Sequence, residues 1–574
     1  MVTAIVSGQR ARLPARLPCL PLLCLLLALT GCQTFVAHSS LVPPPTPPLP
    51  AADPQFTISL PDETTPGGTR LVNPAAMREF YRARRGAPAW QRPEHPDLAA
   101  QLLAAIRGSA AEGLTPAAYH LQALEGLDQT TAADHRHVVE QELLRTDAFL
   151  TLASHYRYGR LNLQAILPEW QPQLREENLG ALLESALAGG TIAATLHGLL
   201  PQAPGYRALK EALARLRRMA DQDGWPAIPG GSRMQRGDHG PRVVVLRQRL
   251  AVSGDLPAET APAGDRFDDD AEAAVRRFQA RHGLKADGVV EQKTLKALNV
   301  PAERRIQQLT TNLERWRWLP RTIGNRDIVV NIPGFSLTVL ENQQPLLTMK
   351  VVAGRSDRQT PVYSSTVTHL VLNPTWEVPR EIASKDLLPK IRKDPTYLQR
   401  LGFRVLTANG GNGRELDPAQ IDWRAVTPTA FRYHLSQKPG KDNFLGQVKF
   451  LFPNPYSVYL HDTPSKNLFQ KESRPFSSGC VRLERPLDLA ALLLRDTALG
   501  SREGLNAALA SKATRTVRLP APIPVHLIYL TAWLDDDGAL QLRPDLYGYD
   551  RLIEEGLAGL AVRKPLPCIG GCGE

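Results

Sequence analysis

The chain has 574 residues, 43% hydrophobic and 22% charged. At roughly 100–200 residues per domain this allows several domains, and the composition excludes a polytopic membrane protein, a collagen-like chain and a wholly disordered one. Lys plus Arg number 68 against 57 acidic residues, a net charge of +11. Such a charge favours anionic partners, among them lipid headgroups and acidic wall polymers. No concentrated basic helix, zinc finger or aromatic RNA-reading motif points to nucleic acid.

Arg10, Arg12 and Arg16 precede an apolar run, Leu17–Leu29, broken by Pro18, Cys19, Pro21 and Cys24. A charged start, a short apolar stretch and small residues at its end read as a secretory signal, shorter than a membrane span needs. Leu29-Thr30-Gly31-Cys32 resembles a bacterial lipobox. That resemblance makes 1–32 a lipoprotein signal peptide, with Cys32 diacylated as the new N-terminus. Gln33 in place of Asp implies sorting to the outer membrane of a Gram-negative bacterium, facing the periplasm. Cleavage removes three Arg and no acid, for a mature charge of about +8. It leaves Cys32, Cys480, Cys568 and Cys572. The last two can close a small loop in an oxidising compartment; Cys480 has no obvious disulfide partner.

Residues 33–68 hold a proline-rich tether, densest at 41–54, semi-rigid at ~3.1 Å per residue. Over 69–233 the apolar spacing of Leu98, Leu102, Leu103 and Ile106, and of Leu143, Leu144, Phe149, Leu150 and Leu152, predicts a helical domain without a catalytic cluster. Residues 234–302 predict three short helices: Val243–Leu250, a second capped near Asp268 with Ala271, Ala274, Val275 and Phe278 on one face, and Thr294–Leu298. From 303 to 555 the chain becomes β-rich, with strands expected at 327–332, 335–340, 347–352, 366–372, 450–460 and 525–530. Helical and loop material is expected at 380–440. Residues 556–574 form a tail. The fold class is multidomain α+β, a helical scaffold, a three-helix domain and a β-rich catalytic domain in series.

The chemistry concentrates in His461-Asp462-Thr463-Pro464 and Ser477-Ser478-Gly479-Cys480-Val481-Arg482. Tyr456–Leu460 delivers His461 at a strand end, and Cys480 follows nineteen residues later. A thiolate is a nucleophile, and a neighbouring imidazole accepts its proton. Gly479 permits a tight turn whose backbone N–H groups, near Ser478–Cys480, can hold an oxyanion. No His-Glu-x-x-His or comparable ligand spacing appears, so neither metal nor cofactor is expected.

These residues resemble the L,D-transpeptidase motif of the YkuD-type β fold, most of all its large periplasmic YcbB-like branch. Asn373-Pro374-Thr375-Trp376-x-Val378-Pro379-Arg380, Lys438-Pro439-Gly440-x-x-Asn443-x-Leu445-Gly446, Lys449-Phe450-x-x-Pro453-Asn454 and Tyr459-x-His461-Asp462-Thr463-Pro464 carry the likeness. Gly237-x-x-Gly240-x-x-Val243, Phe278-Gln279, His282-Gly283-Leu284, Asp287-Gly288-Val289 and Thr294-x-x-x-Leu298 resemble a three-helix peptidoglycan-binding domain. Many YkuD members have Ser-His-Gly-Cys where this chain has Ser477-Ser478-Gly479-Cys480, which leaves His461 as the local general base.

The resemblance implies that Cys480 attacks the third-residue carbonyl of a tetrapeptide donor stem. A thioester forms, D-alanine leaves with a proton from His461, and a second stem's amine accepts, giving a 3→3 cross-link. Arg482 then orients the cysteine loop or a substrate carboxylate. Tyr459 and Trp376 line the cleft or belong to the core, and residues 385–445 form a lid. Implied partners are peptidoglycan stem peptides and glycan, the membrane through the Cys32 lipid, and cell-wall synthesis proteins. Water or a lipoprotein lysine as acceptor, giving an L,D-carboxypeptidase or a wall-to-lipoprotein ligase, and a non-catalytic wall-binding scaffold remain open.

Overall fold

In the computed structural model the described residues are 58, 65–128, 135–167, 170, 176–260, 264–321, 323–407 and 413–559. The expected signal peptide with Cys19, Cys24 and Cys32, most of the proline-rich tether, and Cys568 and Cys572 lie outside them. All described residues fall in one compact unit, Leu49–Glu574. None of their helices is long and apolar enough to cross a membrane.

The N-terminal region is helical. Its main helices are Pro74–Ala83, Leu98–Gly108, His135–Tyr158, Leu179–Ala188 and Pro204–Ala220. Proline at the first helical position suits the helices starting at Pro74 and Pro204, because the missing N–H has no intrahelical partner there. Leu98, Leu102 and Ile106 are buried at the expected spacing and share a core with Leu143, Leu144, Phe149 and Leu150.

The next region is the expected three-helix unit, Pro241–Val252, Asp269–Arg281 and Gln292–Leu298. Asp268 caps the second helix by accepting from the Ala271 N–H at 2.9 Å. Ala271, Ala274, Val275 and Phe278 are fully buried together, each large apolar side chain contributing roughly 1.5–3 kcal/mol. Gln279 ties the unit's motifs to one another. It donates to Asp287 (3.1 Å), the Val289 carbonyl (2.9 Å) and Thr294 (3.1 Å), and accepts from the Gly288 N–H (2.9 Å).

The β-rich region contains β1 (Arg326–Asn331), β2 (Ser336–Glu341), β3 (Gln344–Gly354), β4 (Tyr363–Leu372), β5 (Trp376–Val378), β6 (Phe403–Leu406), β7 (Glu415–Leu416), β8 (His434–Gln437), β9 (Val448–Leu451), β10 (Leu460–His461), β11 (Pro475–Ser477), β12 (Val481–Leu483), β13 (Arg515–Ile528), β14 (Ala532–Leu534) and β15 (Leu540–Leu542). Nine of them form one sheet in the order β11-β3-β12-β10-β9-β4-β13-β1-β2, and β2 also pairs with β3, so the sheet closes on itself. Leu337 and Val339 of β2 point into its core while Ser336 and Thr338 lie nearer solvent, the period of two that a half-buried strand requires.

Three expectations change. The strand expected at 450–460 is two strands, β9 and β10, separated by a turn. Pro453 and Pro455 offer no N–H to a ladder. Asn454 staples that turn, accepting from the N–H groups of Tyr456 and Val458 and donating to the carbonyls of Phe452 and Val458. Strand β13 begins at Arg515 rather than 525, and its register with β4 shifts between Arg518 and Ile523, where Pro520 and Pro522 stand. The stretch expected as helix and loop at 380–440 also holds a sheet, in the order β5-β8-β6-β7. It has its own core of Trp376, Ile391, Phe403, Phe431 and Leu435.

The helix Ala302–Arg317 and the β14–β15 hairpin lie within the span 303–555 assigned above to the catalytic domain. They pack on the N-terminal helices: Leu309, Leu313, Ala532 and Leu542 belong to that core. Gln308 joins the two pieces by donating to the carbonyls of Thr531 (3.0 Å) and Arg543 (2.9 Å).

Candidate active site

Strand β10 pairs parallel with β12, Leu460 opposite Val481 and His461 opposite Arg482. Cys480 enters β12 one residue earlier, and the Val481 N–H donates to the Tyr459 carbonyl at 3.1 Å. Nineteen residues of sequence therefore close into neighbouring strand ends. His461 and Cys480 line one cleft of about 570 Å³, together with Ser477, Ser478, Arg482, Tyr459 and Trp376. Gly479 lies in the turn beside the cleft.

His461 is buried. Its Nδ1–H donates to the Asp462 backbone carbonyl at 2.5 Å. A carbonyl can only accept, so this bond puts the proton on Nδ1 and leaves Nε2 as the basic nitrogen. Burial first, then the Arg482 charge, pushes the imidazole down to about 3. The ring is therefore neutral at neutral pH and able to accept a proton. The Asp462 side chain is occupied elsewhere, accepting from the Gln447 N–H (2.8 Å) and Lys466 Nζ (2.7 Å). Gly446 makes room for it, because a Cβ there would stand 2.3 Å from the Asp462 carboxylate.

The cysteine turn is fixed from several sides. Ser477 Oγ donates to the Cys480 carbonyl at 2.5 Å and accepts from the Gly479 N–H at 3.2 Å. Gly479 sits at φ +116°, where a side chain is strained. Thr360 Oγ1 donates to the Gly479 carbonyl at 2.7 Å. Arg358 donates to Ser478 Oγ at 3.1 Å and pairs with Asp386. The Gly479 N–H is thus directed at Ser477 Oγ within the turn.

Cys480 itself is buried and disulfide-bonded. The sequence offers no obvious partner for that bond, and a free thiol is present at this position only once it is reduced.

Arg482 lines the cleft with a buried Nε that has no hydrogen-bond partner among the described residues. Burial, then the charge of Arg355, pushes it down to about 10. Trp376 and Tyr459 line the cleft and also pack in the core of the 376–445 sheet. Tyr459 meets the His461 ring edge-on at 5.6 Å. That sheet and its helices contribute Ile382, Lys385, Asp386, Leu387, Pro389 and Lys390 as one wall of the cleft.

Sequence reasoning placed Ser477 in the motif without giving it a role, and missed Arg355, Arg358, Thr360, Asp386 and the 40% exposed Phe476 at the rim. Only Ser477 and Phe476, by their nearness to Cys480, carried a local signal. Among the described residues no cluster of His, Cys, Asp and Glu could hold a metal ion.

Residues 325–505 match the YkuD family model, described as the L,D-transpeptidase catalytic domain. Residues 239–298 match a model described as "Putative peptidoglycan binding domain", and residues 75–213 one described as "Scaffold domain". A Haemophilus influenzae protein named "Putative L,D-transpeptidase" is 38% identical over 247 residues, 43% of this chain and 49% of that protein. The chain thus spans about half the length of this curated relative. Two solved structures cover 52% of the chain. One is an L,D-transpeptidase from Xylanimonas cellulosilytica (15% identity, 99% of that chain, TM-score 0.18). The other is a fused Zn-dependent amidase/peptidase/peptidoglycan-binding-domain protein from Clostridium acetobutylicum (14% identity, 100% of that chain, TM-score 0.15). At these scores neither likeness carries a structural argument. The architecture is therefore a helical N-terminal region, a helical peptidoglycan-binding domain and a β-rich YkuD domain, and the His461–Cys480 cleft lies inside the last.

Proposed function

We propose that this protein is an L,D-transpeptidase of the YcbB-like branch, forming 3→3 cross-links in peptidoglycan. The observation that carries the reading is the meeting of His461 and Cys480 at adjacent strand ends in one cleft of the YkuD domain. In this reading His461 Nε2 takes the thiol proton as Cys480 Sγ bonds to the third-residue carbonyl carbon of a tetrapeptide stem. The C–N bond to D-alanine breaks, and His461 returns the proton to the departing amine. The side-chain amine of a second stem then attacks the thioester, restoring the thiol and leaving an amide. Arg482 and Arg355 place positive charge where a stem carboxylate would sit, and Trp376, Tyr459 and Phe476 offer its apolar walls. Residues 385–445 act as a lid, and Cys32 carries lipid that holds the protein at the periplasmic face of the outer membrane.

The test incubates the reduced full chain with tetrapeptide muropeptides and reads products by mass spectrometry. Dimers formed with loss of D-alanine and absent in Cys480→Ala are expected. Tripeptide monomers alone would make the protein an L,D-carboxypeptidase. Dimers that persist in Cys480→Ala would overturn the mechanism.

A further inference from the structure

A second cavity, about 640 Å³, lies at the seam of the Pro204–Ala220 helix, the peptidoglycan-binding domain and the β14–β15 hairpin. Its lining is charged in an uneven way. Arg215, Arg249, Arg277, Arg281 and Arg305 face it, against Asp255, Asp535 and Asp537.

The acids are largely spoken for. Asp255 takes a two-point ion pair from Arg281 (2.7 and 2.5 Å) and a bond from Ser253 Oγ (2.6 Å). Asp535 accepts from the N–H groups of Ala539 (2.8 Å) and Asp537 (3.2 Å) and from Gln541 Nε2 (2.6 Å). Asp537 is exposed on the hairpin turn.

The cations are not matched. Arg249 is only 2% exposed; its Nε donates to the Leu298 carbonyl at 2.8 Å, and its Nη1 has no hydrogen-bond partner among the described residues. Among the described residues Arg305 reaches neutral oxygens, Gln308 Oε1 at 2.9 Å and the Ala297 carbonyl at 3.4 Å. Arg277 reaches the Asp255 carbonyl. Among the described residues no carboxylate pairs with Arg215, Arg249, Arg277 or Arg305. Burial, then the Arg281 charge, pushes Arg249 down to about 9 and Arg305 to about 10. Asp255 offsets part of this at Arg249, but that carboxylate is already paired with Arg281; a buried cation so weakly compensated is costly, and a bound anion offsets that cost.

We infer that this seam is a binding site for a carboxylate-bearing peptide, held by Arg249, Arg305 and Arg215. The volume exceeds that of a bare ion, and Leu216, Met219, Trp225 and Val252 give the ligand's body an apolar wall. The guanidinium of Arg249, stacked 4.0 Å over Trp225, is pre-organised for two-point carboxylate recognition. The match of residues 239–298 to a peptidoglycan-binding model makes an acidic wall stem the natural source. The site stands apart from the Cys480 cleft, and its three walls come from three different regions of the chain.

The test uses a wall tetrapeptide carrying a diazirine, cross-linked to the full chain and mapped by mass spectrometry. The expected result is label on residues 212–219, 249–255 or 535–542, reduced at least tenfold in Arg249→Gln and in Arg215→Glu. Carbapenem acylation at Cys480, read on the reduced chain, stays unchanged in both variants, which separates this site from the catalytic reading. Arg215 is exposed, so Arg215→Glu decides the matter if Arg249→Gln does not fold. Absence of label at the seam, label unchanged in Arg215→Glu, or equal labelling by the peptide with its carboxylates amidated would each overturn the proposal. Binding of inorganic phosphate without peptide labelling would make the seam an inorganic-anion site and overturn the peptide assignment.

Discussion

Arg482 is the register partner of His461 across the parallel β10–β12 pair, and its guanidinium keeps a second positive charge off the imidazole. Burial is the larger cause, and the two together hold His461 neutral down to a pH of about 3. The base of the proposed reaction is therefore ready at any physiological pH, its tautomer set by the Asp462 carbonyl.

This makes the acid limb of activity unusual for a histidine base. In the reduced protein the rate of Cys480 acylation by a carbapenem, followed from pH 7 to pH 4, is expected to show no protonation step near 6.5 from His461. In Arg482→Gln the imidazole rises toward its ordinary value, and the acid limb moves up with it. An imidazole resonance that titrates at the same pH in both proteins would defeat the argument.

The same shift affects stability. His461 titrates near 6.5 when unfolded and at about 3 when folded. Between those values the unfolded chain binds the extra proton, so the fold loses stability as pH falls through 6.5 and levels off near 3. The loss from this group is up to about 5 kcal/mol. Denaturant midpoints of His461→Gln are expected to fall less between pH 6.5 and 4 than those of the parent. Parallel curves would show that the group does not carry the slope.

Ser477 and Ser478 are neighbours with different work. Ser477→Ala strips partners from the buried Gly479 N–H and the Cys480 carbonyl, at about 1–3 kcal/mol, and slows acylation at least tenfold by loosening the turn. Ser478, half-buried where Ser477 is buried, gives up its contact to Arg358 in Ser478→Ala and is expected to cost less on both counts. Equal effects in paired unfolding and acylation assays would contradict the assigned bonds.

Gly479→Ala forces a side chain into φ +116°. The strain is roughly 1–3 kcal/mol, and acylation is expected to be lost while the far helical region keeps its circular dichroism. An active, stable alanine variant would mean the turn tolerates another backbone path.

Because Cys480 is disulfide-bonded, alkylation by iodoacetamide is expected at this position only after reduction. Peptide mapping before and after a thiol reductant reads this directly. Full labelling without reductant would show the sulfur already reduced in solution.

Much of this was legible in the sequence. The spacing of Ala271, Ala274, Val275 and Phe278 behind Asp268 specified a capped, one-sided helix, because a period of 3.6 and a side-chain acceptor act locally. The strand at 450–460 was misread because apolar content alone does not show that Asn454, between two prolines, can close a turn on itself. The sheet within 376–445 was missed because β7 has two residues and β5 three, too few to set a periodic pattern.

The sequence by itself determined the chemistry: a histidine and a cysteine, a glycine before the cysteine, and the run of strands and helices that carries them. Local periodicity sets which way a side chain faces, and turn residues set where the chain reverses. Only the tertiary structure decided what those groups meet. It put Arg482 beside His461, brought Thr360 and Arg358 onto the cysteine turn from more than a hundred residues away, and sent β14–β15 into the helical core. It also opened the arginine-lined seam among three regions. Such meetings depend on chain closure and packing between distant segments, and no local pattern encodes them.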